Sequence, residues 1–130
     1  MIVIDNNVLV GLVFKGDDHH PRARAVRGID SDWHAPWLIR SEFRNVARGF
    51  HLRKRQSWES ILAAASAAAV ECHQVHDGEV LTIVRDGHLT ASDAEFVAPA
   101  RRLGCKLVTD DAAILANYRD VAVGPEDFLD

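Results

Sequence analysis

Cysteine is scarce in this sequence: there are two, Cys72 and Cys105, far apart and without a CxxC pair. That excludes a disulfide framework or a cysteine zinc site as the organising device, and a reduced, cytoplasmic setting is the expectation. Long hydrophobic runs are missing too; no stretch approaches the roughly 18 apolar residues of a membrane span. The apolar start has no basic residue before it and is broken by Asp5, so it makes a poor signal peptide. Repeats, linkers and sharp changes of composition are also lacking. The 130 residues are therefore expected to form one domain, residues 1–130.

What is present is a globular composition, 48% apolar and 26% charged, with enough chain for a real core. The net charge of −4 argues mildly against a nucleic-acid partner, but the charge is uneven. Residues 40–55 hold six Lys or Arg and one acid, Glu42, whereas residues 110–130 hold six acids and one Arg.

Residues 1–5 read as a buried strand, and 20–29 as a short helix with Pro21 in its first turn. Residues 33–36 read as a short extended piece, because Pro36 disfavours helix at Ala35. A helical pattern covers 38–53, with Phe43, Val46, Ala47 and Phe50 on one face. Ser57 can cap an alanine-rich helix through Ala69. Residues 70–75 suggest a strand and 78–86 a helix stopping at Gly87. Thr90-Ala91-Ser92-Asp93 has the form of a capping box, opening a helix that ends at Gly104. Pro99 inside it withholds a backbone hydrogen bond toward Glu95, and a kink is expected there. A strand at 106–109, a helix at 112–117 and a strand at 121–123 finish the pattern. Alternation of this kind predicts an α/β fold with a mainly parallel central sheet flanked by helices on both faces.

Ligands in such sheets gather at the carboxyl ends of the strands, where Asp5 and the pair Asp110-Asp111 both fall. Asp93 lies in the first turn of a helix, and Glu42 lies near the start of a basic one. Taken singly, Asp93 reads as a capping acid, Glu42 as the partner of an Arg on its own helix, and Asp110 or Asp111 as a helix opener. Asp5 is harder to account for, since an ionised carboxylate after a buried strand is costly unless something pairs with it. If the four converge, their repulsion raises each pKa, and a hard divalent cation reverses the penalty. Oxygen-only ligation suits Mg²⁺ or Mn²⁺.

Four stretches, in order, resemble the PIN-domain family of metal-dependent ribonucleases, and in particular VapC-type toxins of toxin–antitoxin modules. IVIDNNVLV resembles the family's opening strand and first acid, and PWLIRSEFRNV the block carrying Glu42 and Asn45. LTASDAEFVAPARRLGCKLVTDD resembles the third and fourth blocks, and VAVGPEDFL the closing strand and tail. The resemblance implies a catalytic cluster of Asp5, Glu42, Asp93 and a fourth acid. Thr109 aligns with the family's threonine, which makes Asp111 the choice and Asp110 the variable position. It implies Asp5 and Asp93 as direct ligands of Mg²⁺ (or Mn²⁺), with Asn7 and Thr109 supporting the carboxylates. Asn6 departs from the pattern, standing where Ser or Thr is usual.

The activity implied is endonucleolytic hydrolysis of RNA by metal-activated water, leaving 5′-phosphate and 3′-hydroxyl ends. The partners implied are RNA, a cognate antitoxin protein and a second copy of the chain in a homodimer; no membrane is involved. Arg40, Arg44 and Arg48 recur every four residues and so form one stripe on their helix, suited to RNA phosphates or an acidic antitoxin segment. Trp33, Trp37, Phe43 and Phe50 suit a core or an interface equally.

Other classes fit less well. A housekeeping PIN ribonuclease and a PIN-like binding domain that does not cut both stay open. A haloacid-dehalogenase phosphatase needs a second Asp where this chain has Asn7. Cys72-His73-Gln74-Val75-His76-Asp77 offers HxxH and His-Asp pairs, but the further motifs of an HD-type phosphohydrolase cannot be placed. In a strand, His73 and His76 also face opposite sides. His19-His20 reads as loop surface.

Overall fold

Three buried aliphatic residues, Ile2, Val3 and Ile4, make strand β1 (Ile2–Ile4), around which the rest is assembled. The computed structural model describes residues 1–53, 56–87 and 89–130. After β1 come α1 (Asn6–Val13), α2 (His20–Ile29), β2 (Trp33–Pro36), α3 (Leu38–Leu52) and α4 (Trp58–Ala68). They are followed by β3 (Glu71–His73), α5 (Asp77–Asp86), α6 (Ala91–Leu103), β4 (Leu107–Val108), α7 (Ala112–Asn117), β5 (Ala122–Val123) and α8 (Pro125–Leu129).

The five strands are parallel and lie in the order β3-β2-β1-β4-β5, so β1 is central. Val3 pairs with His34 on one side and with Leu107 on the other. From β1 the chain builds one way to β2 and β3, then returns to the other side for β4 and β5. The reversal lies between β1 and β4, the kind of switch point where parallel sheets hold ligands. Helix α6 lies against β1, β2 and β4 with α5 packed on it; α1 packs against α2, α3 and α4.

The local signals explain most boundaries. Ser57 accepts the Ser60 N–H and opens α4, and Thr90 accepts the Asp93 N–H and opens α6. Gly104 ends α6 in the left-handed region at φ 66°, where glycine carries no Cβ penalty. Helix α6 runs through Pro99 as one element, with Pro99 buried. Phe14 stacks on Phe50 at 4.1 Å and on Phe43 at 6.0 Å between ring centroids, fixing the apolar face of α3. Trp33 is buried, whereas Trp37 is 59% exposed.

Two helices escape the sequence pattern. Helix α1 begins immediately after Asp5 in a valine-rich run with no clear period, and is buried nearly all round. Its Gly11 lets α2 approach closely: a Cβ there would stand 3.2 Å from that of Ala23. Helix α8 is a single short turn begun by Pro125.

Candidate functional site

Asp5 follows β1 directly and caps α1, so one residue serves as strand end and helix start. Its backbone N–H still donates to Val108 O at 3.0 Å, extending the pairing with β4. Its side chain is 8% exposed and held by two donors. The Asn6 backbone N–H donates to Oδ1 at 2.6 Å, and the Thr109 hydroxyl donates to Oδ2 at 2.6 Å. A hydroxyl that close to a carboxylate oxygen is a charge-assisted bond. Thr109, fully buried just after β4, also accepts the Asp111 N–H at 3.0 Å.

Asp111 caps α7 by accepting the Ile114 N–H at 2.9 Å. Asp93 stands in the first turn of α6, half-buried, and Glu42 stands half-buried in α3. Burial pushes the Asp5 carboxyl above its ordinary value; the two hydrogen bonds oppose this, and the charges of Asp111 and Asp93 add to it. Burial likewise raises Glu42, reinforced by Asp5, Asp93 and Glu95. Asp93 and Asp111 thus act on Asp5, and Asp5 and Asp93 on Glu42, although the four come from distant parts of the chain.

The doubled acid divides its roles. Asp110 is paired with Arg22 of α2, which also reaches Glu126 at 3.4 Å, while Asp111 is the one whose charge bears on Asp5. Asn6 is buried, and its position where the resemblance expects a hydroxyl is accommodated because the donor to Asp5 is its backbone N–H. Asn7 is exposed and borders a small pocket with His19, Arg22 and Asp110. Among the described residues no hydrogen bond joins its side chain to Asp5. Glu95 and Arg22 were not singled out by the sequence; their partners lie on other elements, and no local spacing marks them.

A hard cation suits these donors. They are carboxylates only, two of them raised by burial and mutual repulsion, and the buried Asn6 Oδ1 lacks a hydrogen-bond partner among the described residues. No three of the acids bring oxygens within 4.8 Å of one another, since the one described trio with that spacing is His34, Glu71 and His73. Such an open set fits Mg²⁺ with much of its shell supplied by water. Asp5, Glu42, Asp93 and Asp111 are the acids that face one another here.

Arg40, Arg44 and Arg48 are exposed along α3. Arg40 and Arg44 border a groove of about 390 Å³ with Phe43 and, from α4, Leu62, which is exposed. Arg40 also lies over the Trp37 ring, 6.0 Å from its centroid. Lys54 and Arg55, the end of the basic segment, fall outside the described residues. Among the described residues no helix is long and apolar enough to cross a membrane.

The PIN domain family model matches residues 2–120. No curated protein sequence matches the chain. Among solved structures, a toxin–antitoxin complex from Klebsiella pneumoniae contains a similar fold, with a TM-score of 0.74 and 17% identity over 96% of this chain and 98% of that one.

Proposed function

The chain belongs to the PIN domain family, a family of nucleases, and from that premise we propose that it is a Mg²⁺-dependent endoribonuclease acting as the toxin of a VapBC-type module. The observation that carries the proposal is the Asp5 carboxylate, pinned by two donors, whose pKa is raised by burial and further by Asp111 and Asp93. A buried acid so crowded is expected to meet a cation. The full-length fold shared with a solved toxin–antitoxin complex supports the toxin reading.

In this mechanism Asp5 and Asp93 would hold the metal, Mg²⁺ or the chemically similar Mn²⁺. When bound, it lowers the pKa of water and offsets charge on the phosphoryl oxygens. Glu42 and Asp111 would orient the attacking water and take up the proton it sheds. Thr109 fixes the rotamer of Asp5 by its hydrogen bond, and Asn7, at the rim, contacts substrate polar groups. Arg40, Arg44 and Arg48 hold RNA phosphates beside an otherwise repulsive acidic site. Attack of water on phosphorus breaks the P–O3′ bond, the leaving 3′-oxygen takes a proton from solvent, and the products carry 5′-phosphate and 3′-hydroxyl ends.

The antitoxin is proposed to lay a segment in the groove between α3 and α4, its acids meeting Arg40 and Arg44 and its apolar residues meeting Phe43 and Leu62. A second copy of the chain is part of the proposal, with exposed Trp37 and Leu81 as available apolar surface. The test is incubation with defined single-stranded and structured RNAs, with Mg²⁺ or with chelator. Cleavage confined to the Mg²⁺ samples is expected; cleavage in chelator, or none with any RNA, overturns the proposal.

A further inference from the structure

The trio with ligand atoms close together lies at the edge of the sheet, where β3 adjoins β2. His34 is the second residue of β2 and pairs in register with Glu71; His73 ends β3 opposite Pro36. The side chains follow the same logic. His34 Nδ1 lies 2.7 Å from His73 Nε2 and 3.8 Å from Glu71 Oε2, with the two rings stacked at 5.0 Å. On its other side His34 Nε2 lies 2.9 Å from Asp32 Oδ1, and the ring is 5% exposed.

A carboxylate only accepts, so the Asp32 contact puts a proton on His34 Nε2; in the neutral ring the Nδ1 lone pair then faces His73 and Glu71. A carboxylate behind a histidine, fixing which nitrogen faces outward, is the usual support of a metal-ligating imidazole. Two imidazole nitrogens and one carboxylate are also the ligand set of an open zinc site, with a fourth position left to water.

We propose that His34, Glu71 and His73 bind Zn²⁺ at this sheet edge, independently of the acids beyond β1 and β4. Zinc bonds of about 2.0–2.2 Å in a tetrahedron set ligand atoms about 3.3 Å apart. The 2.7 Å contact must open by roughly half an ångström and the 3.8 Å contact close by as much, within the reach of side-chain torsions. To ligate, His73 moves its proton from Nε2 to Nδ1, which frees the Nε2 lone pair for the ion. The ion ties an edge strand to its neighbour through side chains. Nitrogen donors also set this site apart from Mg²⁺, which prefers oxygen.

The test titrates Zn²⁺ into the untagged full chain after chelation, following thermal midpoint and calorimetric stoichiometry. One equivalent is expected to bind and raise the midpoint, unaffected by excess Mg²⁺, and Co²⁺ is expected to show tetrahedral visible bands. Asp5→Asn retains this behaviour. Glu71→Gln and His73→Gln each lose roughly tenfold or more in Zn²⁺ affinity, and Asp32→Asn weakens it similarly. Glu71 is exposed and glutamine at 73 can still donate to His34, so both variants fold, as circular dichroism checks. No Zn²⁺-dependent shift in the wild type overturns the proposal, as does unchanged affinity in both Gln variants or loss of zinc binding in Asp5→Asn.

Discussion

The Thr109 hydroxyl donates to Asp5 Oδ2 at 2.6 Å, joining residues 104 positions apart at the ends of two adjacent strands. The same oxygen accepts the Asp111 N–H, so one buried side chain sets the spacing of two acids. Thr109→Val removes both contacts at nearly constant volume. It is expected to lower stability by about 1–3 kcal/mol, the usual cost of leaving buried polar groups unpaired. Mg²⁺ affinity falls by roughly tenfold or more, as when a group orienting a ligand is lost. Urea unfolding and metal titration read the two effects separately.

Asp5 also bears on stability by itself. Its pKa is raised above 3.8 and that of Glu42 above 4.5, in each case chiefly by burial. Between those values and the raised native ones, the folded metal-free chain holds protons that the unfolded chain has released. Its stability is therefore full at pH below the ordinary carboxylate range and falls as pH rises through the native values. Thermal midpoints in chelator, scanned upward from pH 4, are expected to decline from these two groups, and saturating Mg²⁺ is expected to flatten the decline.

The neutral variant follows from the same physics. Asp5→Asn removes the charge, keeps Oδ1 to accept the Asn6 N–H, and exchanges the bond from the Thr109 hydroxyl for one that its amide Nδ2 donates to Thr109 Oγ1, so it is expected to be more stable than the wild type in chelator at pH 7. Each kcal/mol gained appears as about 3–5 °C in the midpoint for a chain of this size. Differential scanning calorimetry measures it. A midpoint below that of the wild type would mean that burying the Asp5 charge costs less than its hydrogen bond from Thr109 contributes.

The two adjacent acids are expected to behave differently. Asp111→Asn lowers Mg²⁺-dependent cleavage by at least about tenfold, since the charge acting on Asp5 belongs to Asp111. Asp110→Asn leaves cleavage within about twofold and releases Arg22, a loss on the order of 0–1 kcal/mol. Single-turnover cleavage rates for the two variants distinguish the assignments.

Much of this arrangement is legible in the sequence because it is local. Ser57, Thr90 and Gly104 mark helix ends by their own side chains or lack of one, and Asp5 stands out because a buried strand runs straight into it. Helix α1 is not legible, because Val8, Val10 and Val13 favour strands and only packing against α2, α3 and α4 makes the run helical. Pairings between distant elements are equally hidden. Arg22 meets Asp110 from α2, Glu95 adds its charge to Glu42 from α6, and His73 meets His34 across two strands rather than His76 along its own chain. Which of the two adjacent acids meets Arg22 and which acts on Asp5 is set by those partners.

The arginine stripe is testable through salt. Replacing Arg40, Arg44 and Arg48 together by Gln is expected to weaken binding of single-stranded RNA and to reduce the slope of log affinity against log salt by about two. Fluorescence anisotropy with labelled RNA, in chelator to prevent cleavage, provides both numbers. An unchanged slope means that α3 does not hold phosphates.

The central claim is that Asp5, Glu42, Asp93 and Asp111 make one metal-dependent site for RNA hydrolysis. It is tested most directly by cleavage of a defined RNA by wild type and Asp5→Asn side by side, across a Mg²⁺ titration, with folding checked by circular dichroism. The account predicts Mg²⁺-dependent cleavage by the wild type and a loss of at least about a thousandfold in the folded variant. Undiminished cleavage by Asp5→Asn would contradict it.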